Sequence, residues 1–168
     1  MFSLLPRIES LTEKKLTGMM LPMTMTENRT TELWKSFMPK RKQIADTVSG
    51  DLYSVQVYDS SMDFRNFDPH KTFEKWASVE VTGVGPVPEG MQRLILPSGL
   101  YAVFTYKGRS ADAEPAFRYF FETWLPGSGY VISDRPHFEI LGENYRFEDP
   151  ESREEIWIPV KPVWLRNQ

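Results

Sequence analysis

The stretch RPHFEILG, Arg135 to Gly142, sets one carboxylate inside an apolar alternation. Strand neighbours point to opposite faces, so Phe138 and Ile140 share one face while His137, Glu139 and Leu141 share the other. A carboxylate there faces either water or a pocket. A pocket must give it a partner or a proton, because a bare buried carboxylate is costly. In a pocket Glu139 can pair with a cationic ligand. It can equally orient water as a general base, once burial among aromatic rings raises its pKa. The sequence leaves the two roles open. His137 sits two residues away at strand spacing, yet a histidine at a strand start is expected at the surface rather than in a catalytic dyad.

Trp124 ends a run of Phe117, Phe120 and Phe121 at helical spacing. The stripe is broader than packing on one sheet requires. The phenylalanines read as core, with Phe117 also a candidate for the groove wall. Trp124 falls at the helix end, where its ring can line a cleft, stack on a planar ligand or attract a cation, a contact of about 0.5–2 kcal/mol. Trp76 and Trp157 either floor the same groove or are buried structural rings, and Phe37 is the candidate for its opposite wall. Tyr101 and Tyr106 lie on opposite faces of one strand, so at most one can face the groove. Glu155, on the face of Trp157, is a weaker second carboxylate. The acidic run EDPESREE that ends in it reads as a solvated turn.

Other chemistry is poorly provided for. With no cysteine among 168 residues there is no disulfide or thiol chemistry, and the two histidines, His70 and His137, stand 67 positions apart. No zinc-type spacing exists, so neither metal nor cofactor is expected. GVGPVPEG lacks the pattern of a phosphate-binding loop. A net charge of −3 gives no electrostatic reason to expect nucleic acid or an anionic membrane as the main partner. The basic run PKRKQ, Pro39 to Gln43, is short and reads as a solvated loop. The first residues, MFSLLPRIES, lack the basic start of a signal peptide, and no stretch approaches the ~20 apolar residues of a membrane span. The expectation is a cytoplasmic protein.

These candidate residues must be carried by two similar halves. From Leu16, LTGMMLPMTMT reads as a strand and NRTTELWKSFMPKRKQI as a helix with Thr30 or Thr31 as N-cap; DLYSVQVYD and FEKWASVEVTG read as two strands. From Leu100 the order repeats: the strand LYAVFTYKG, the helix DAEPAFRYFFETWLP, then the strands PHFEIL and REEIWIPVK. Phe37 matches Trp124, Gln56 matches Glu139 and Trp76 matches Trp157, with offsets of 81 to 87 along the series. The pattern predicts an α+β fold within one domain over 1–168, made of duplicated βαββ units at about 14–81 and 98–161. Their strands join in a mostly antiparallel sheet with both helices on one side and a groove between the halves. VTGVGPVPEGMQRLILPSG, Val81 to Gly99, reads as the linker. Gln56 puts a neutral amide where its duplicate Glu139 puts a charge, which suits a polar anchor in an otherwise apolar groove.

YAVFTYKG, WLPGSGY, DRPHFEIL and EEIWIPVK, with LTGMMLPMTMTENRTTELWKSFMP and FDPHKTFEKWASVEV before them, resemble the GyrI-like small-molecule-binding family. This is the effector-binding, SHS2-like domain of AraC-type and multidrug-sensing bacterial regulators, and the resemblance runs from about Pro6 to Lys161. It implies that Glu139 sits in the groove. In members that are hydrolases a tryptophan at the helix end pairs with that glutamate, and Trp124 matches it. In drug-sensing members the glutamate faces cationic aromatic compounds among tyrosines, where this chain carries Trp and Phe. The DNA-binding domain of the regulators is not seen, so no direct binding of nucleic acid is expected. The leading expectation is a protein that takes up hydrophobic, planar, possibly cationic compounds for sensing, sequestration or detoxification. The alternatives are a hydrolase of reactive, cyclopropane-type natural products with Glu139 as base, and a protein-interaction role such as modulation of DNA gyrase.

Overall fold

Alternating apolar residues define the strands of the chain, seen here in a computed structural model that describes residues 5–142 and 145–165. β1 (Arg7–Leu11) precedes a first unit of β2 (Lys14–Met23), α1 (Thr30–Phe37), β3 (Leu52–Val57) and β4 (Phe73–Val81). β5 (Gln92–Leu96) lies between the halves. The second unit is β6 (Gly99–Lys107), α2 (Glu114–Tyr119), β8 (His137–Leu141) and β9 (Arg153–Pro162), with the short β7 (Tyr130–Ile132) inserted after its helix. The strands form one antiparallel sheet in the order β1-β6-β9-β8-β3-β4-β2-β5, and β7 pairs with the far end of β9. The fold is α+β, with the strand, helix, strand, strand order present twice.

The strand β5 lies within the stretch expected to be only a linker. Its five residues, QRLIL, are too few for a clear alternation, and pairing with β2 makes them a strand. The helices also differ in detail. At α1 the side chain of Asn28 accepts the Thr30 N–H at 2.9 Å, in place of a threonine cap. α1 tightens into a 3-10 turn over Met38–Gln43, which carries the basic run. α2 keeps Pro115 in its first turn but widens into a π turn over Phe120–Trp124 before a 3-10 turn at Leu125–Gly127. Such a turn changes the phase of the aromatic stripe, and π turns recur at functional sites.

Both helices cover the same face of the sheet. Leu33, Trp34 and Phe37 of α1 pack with Leu52, Ala77, Val79, Val81 and Leu141. Ala116 and Phe120 pack with Ala102, Phe104, Ile156, Ile158 and Val160. Strand parity puts both sets on the face of Glu139, since Ala77 lies opposite Ser54, Ser54 opposite Glu139 and Glu139 opposite Ile156. A third cluster fills the other face: Tyr53, Val55, Trp76, Tyr101, Val103, Phe138 and Trp157, with Leu11 from β1 and Leu96 from β5. The two edge strands thus share one core, so the sheet is strongly rolled. Gly18 permits this curl, because a Cβ there would collide with the carbonyl oxygen of Ala77 in β4.

The loops following β3 and β8 cross over. Phe64, in the β3–β4 loop, stacks on Phe121 at the end of α2. Phe147, in the β8–β9 loop, packs against Trp34 of α1 at 5.7 Å between ring centroids. Each half therefore covers the helix of the other.

Candidate functional site

Between the two helix-covered cores the sheet carries polar side chains. β3 and β8 pair through Gln56↔His137, Val55↔Phe138 and Ser54↔Glu139. Gln56 and Glu139 are 83 residues apart, the same separation as Val55 from Phe138, so the pseudo-twofold axis runs through the Val55–Phe138 pair. Gln56 and Glu139 flank that axis on the helix side. The Gln56 amide donates to Glu139 Oε1 at 3.0 Å. Lys75, opposite Gln56 on β4, brings Nζ to 4.0 Å from the same oxygen, and the Lys75 and Glu139 side chains are only 9% and 12% exposed.

A second carboxylate joins them. Glu154 on β9 is buried, on the same face as Glu139, and accepts the Tyr145 hydroxyl at 2.9 Å. Burial lifts the Glu139 carboxyl above its usual range, with Lys75 and the Gln56 hydrogen bond opposing the rise. Burial pushes Glu154 up to about 7, and the charge of Glu139 adds to this. Burial also pulls the Lys75 ammonium down. Two acids thus confront one base that gives up its proton readily, and the set favours a further positive charge.

Aromatic rings close over these groups. The β3–β4 loop, residues 58–72, is long enough to be expected to carry function. Asp59 accepts from the backbone and hydroxyl of Ser61, and Asp63 accepts the N–H groups of Arg65 and Asn66. Phe64 lies between those turns and points inward. Its ring is 5.7 Å from Phe121 at an interplanar angle of 4°, and 5.0 Å from the His137 ring at 25°. Tyr58 meets Phe64 and His137 edge-on at 5.2 and 4.9 Å. Burial, with the negative charge of Glu139 adding to it, raises the Tyr58 phenol above its usual value. His137 and Glu139 are two residues apart on one face of β8, which sets this cluster near the carboxylate. His137 is itself buried, and desolvation, aided by Arg135, lowers it to about 3. It is a neutral ring at neutral pH, not the surface histidine expected from the sequence. Beside Phe64 and His137 opens a cavity of about 110 Å³, which Asp59, Asp134 and Arg135 also line.

The family model for the GyrI-like small molecule binding domain matches residues 5–161. This chain belongs to the GyrI-like family. The transcriptional regulator BrlR of Pseudomonas aeruginosa is 29% identical over 131 residues, 77% of this chain and 45% of BrlR. The chain spans a little under half the length of the curated relatives it matches. Among solved structures, EcmrR in a DNA complex superposes with a TM-score of 0.68 at 14% identity, over 96% of this chain and 58% of that one. SAV2435 bound to tetraphenylphosphonium superposes with a TM-score of 0.63 at 14% identity, over 93% of each chain. Both likenesses show the GyrI-like fold. Among the described residues no helix is long and apolar enough to cross a membrane.

In this GyrI-like sheet the expected residues divide by face. Glu139 lies on the helix side. Trp76 and Trp157 do not floor the groove: they pair with Val55 and Phe138 and so project from the opposite face. There Trp157 stacks on Phe138 at 5.3 Å and donates its indole N–H to Glu155. Glu155, bridged also to Arg7, is on that far face as well, so it is not the second carboxylate. Phe37 is fully buried beneath α1 and offers no wall. Phe117 meets Phe104 edge-on, and Trp124 stacks on Phe120 at 5.2 Å. The ring that meets the covering loop is Phe121, on the π turn after α2. Tyr101 faces away from Glu139, whereas Tyr106 shares its face and bonds to the carbonyl of Arg109.

Lys75, Glu154, Tyr58 and Phe64 were not singled out from sequence. The signal for the first two was present: Lys75 interrupts the Phe73, Ala77, Val79, Val81 face of β4, and Glu154 precedes Ile156, Ile158 and Val160 on β9. A lone charge on an otherwise apolar strand face is the same mark that drew notice to Glu139. Tyr58 and Phe64 carry no such mark, because they belong to a loop.

Proposed function

We propose that this chain binds a flat, largely apolar organic cation between α1 and α2, with Glu139 as its electrostatic anchor. The observation that carries this reading is the buried Glu139 carboxylate beside the pseudo-twofold axis, held by an amide and by an ammonium whose proton burial has already loosened. A cation brought to this oxygen gains a charge-assisted contact in a low-dielectric setting and can replace the positive charge of Lys75. The neighbouring rings supply apolar and quadrupolar surface for the rest of the ligand. SAV2435, solved with tetraphenylphosphonium, is a protein of the same fold holding an aromatic cation. In this chain, uptake of such compounds serves sensing or sequestration. BrlR, of which this chain matches 45%, is a transcriptional regulator, which supports effector recognition on behalf of a regulator as the role.

Glu139→Gln tests the anchor. It keeps the shape and removes the charge. A hydrogen bond to a charged group contributes about 1.5–3 kcal/mol, so affinity for a planar cationic dye should fall roughly ten- to a hundredfold while a neutral dye of similar size is unaffected. Equal losses for both dyes, or none, would remove Glu139 as an anchor. A second reading rests on the raised proton affinity of the same carboxylate: Glu139 accepts a proton from water during hydrolysis of an electrophilic ligand. Turnover of a cyclopropane-containing alkylator beyond one equivalent, lost in Glu139→Gln, would favour it over binding alone.

A further inference from the structure

We propose that Phe64 occupies a ring-binding slot formed by Phe121 and His137, and that one flat aromatic ring of a ligand takes its place there. The inference deepens the reading of the groove as a ligand site and adds where the ring goes. Phe64 is nearly parallel to both neighbours, at 5.7 and 5.0 Å, with Tyr58 perpendicular to it at 5.2 Å. A flat ring lying near-parallel to two neighbouring rings and perpendicular to a third is the arrangement a bound aromatic would have. The occupant is exchangeable, because it is carried by a loop and not by the sheet. The turns that present it are small and local, made by Asp59 and Asp63 with residues two or three positions away. The rest of the slot is fixed: His137 is on β8 in the middle of the sheet, and Phe121 is on the π turn that follows α2.

Space for the exchange adjoins it. The cavity of about 110 Å³ is lined by Phe64 and His137 together. Asp59, Asp134 and Arg135 on its wall make it a polar, accessible space, not a sealed apolar void. Because Phe64 is part of that wall, withdrawing its phenyl group would join cavity and slot. The slot also lies near the carboxylate, because His137 and Glu139 are two residues apart on the same face of β8. A ligand with a ring and a cationic centre can therefore fill the slot and reach Glu139 at once. The neutral state of His137 suits this role, since a charged imidazolium in the slot would repel the cation.

The test compares wild type with Phe64→Ala, using the planar cationic dye thioflavin T and the non-aromatic cation tetrabutylammonium. Removing the internal competitor should tighten dye binding by about tenfold, the scale of the ring stacking released, and leave tetrabutylammonium binding unchanged. Unchanged or weaker dye binding, or no dye binding by either protein, would overturn the slot. Repeating the pair in a Glu139→Gln background separates the two ideas: a preserved Phe64 effect with no Glu139 effect leaves the slot standing and removes the anchor. Should Phe64→Ala fail to fold, 4-fluorophenylalanine at position 64 gives a second readout. Saturating dye should shift its fluorine resonance to that of a solvent-exposed ring, and an unmoved resonance in the dye complex would overturn the exchange.

Discussion

Glu154→Gln should make the protein more stable, and by an amount that grows with pH. The carboxyl titrates at about 7 in the fold and at its ordinary 4.5 in the unfolded chain. The folded state therefore holds a proton that the unfolded state releases, so stability is complete below about pH 4.5 and declines as pH rises through about 7. The gap of roughly 2.5 pH units corresponds to about 3 kcal/mol. Glu154 is only 7% exposed, so solvent does not screen this away. Glutamine has no proton to lose and can still accept the Tyr145 hydroxyl that Glu154 now holds at 2.9 Å. Urea unfolding, followed by tryptophan fluorescence from about pH 4.5 to about pH 8, should show the difference between variant and wild type widening by about 3 kcal/mol in favour of the variant. Groups that do not interact with Glu154 cancel in that difference; Glu139, whose charge contributes to the Glu154 shift, titrates with it as a pair, so the widening reports the pair. A gap that stays constant across this range would refute the argument, since it would mean that Glu154 ionises in the fold as easily as in the unfolded chain.

Trp157→Phe should lower stability by about 1–3 kcal/mol through lost packing against Phe138, yet leave dye affinity unchanged in a fluorescence titration, because the indole projects from the opposite face. Gly18→Ala should cost about 1–3 kcal/mol in chemical denaturation, since the added methyl meets the backbone of β4, and should leave the pH dependence of stability as it is in wild type.

Much of the fold was legible because it is written twice. Matching Gln56 with Glu139 and Trp76 with Trp157 fixes the repeat, and the central register of β3 against β8 agrees with that offset. Glu139 stood out because a strand with a buried face alternates, and a charge breaks the alternation. The same alternation says which residues share a face but not which face lies under the helices, so for Trp76 and Trp157 it leaves both a groove floor and a buried structural ring open. Burial of both sheet faces removes the contrast that would have decided it, as Val55 and Ile156, on opposite faces, are equally inaccessible. Phe64 was illegible for another reason: its partners Phe121 and His137 are 57 and 73 residues away, and a loop has no periodicity from which a direction can be read. The π turn over Phe120–Trp124 shifts the stripe's phase in a way helical spacing alone does not foresee, so the contact of Phe121 with Phe64 was not legible.

The axis through Val55 and Phe138 lies inside one polypeptide. Two identical subunits joined across such an axis would have to present the same side chain on each side: two carboxylates that repel, or two amides without charge. A fused chain is free of that constraint and sets an amide against a single carboxylate. The groove consequently has a direction although its framework is nearly symmetric. A ligand with two chemically identical ends, laid across this axis, would find them made inequivalent, one beside Gln56 and the other beside Glu139.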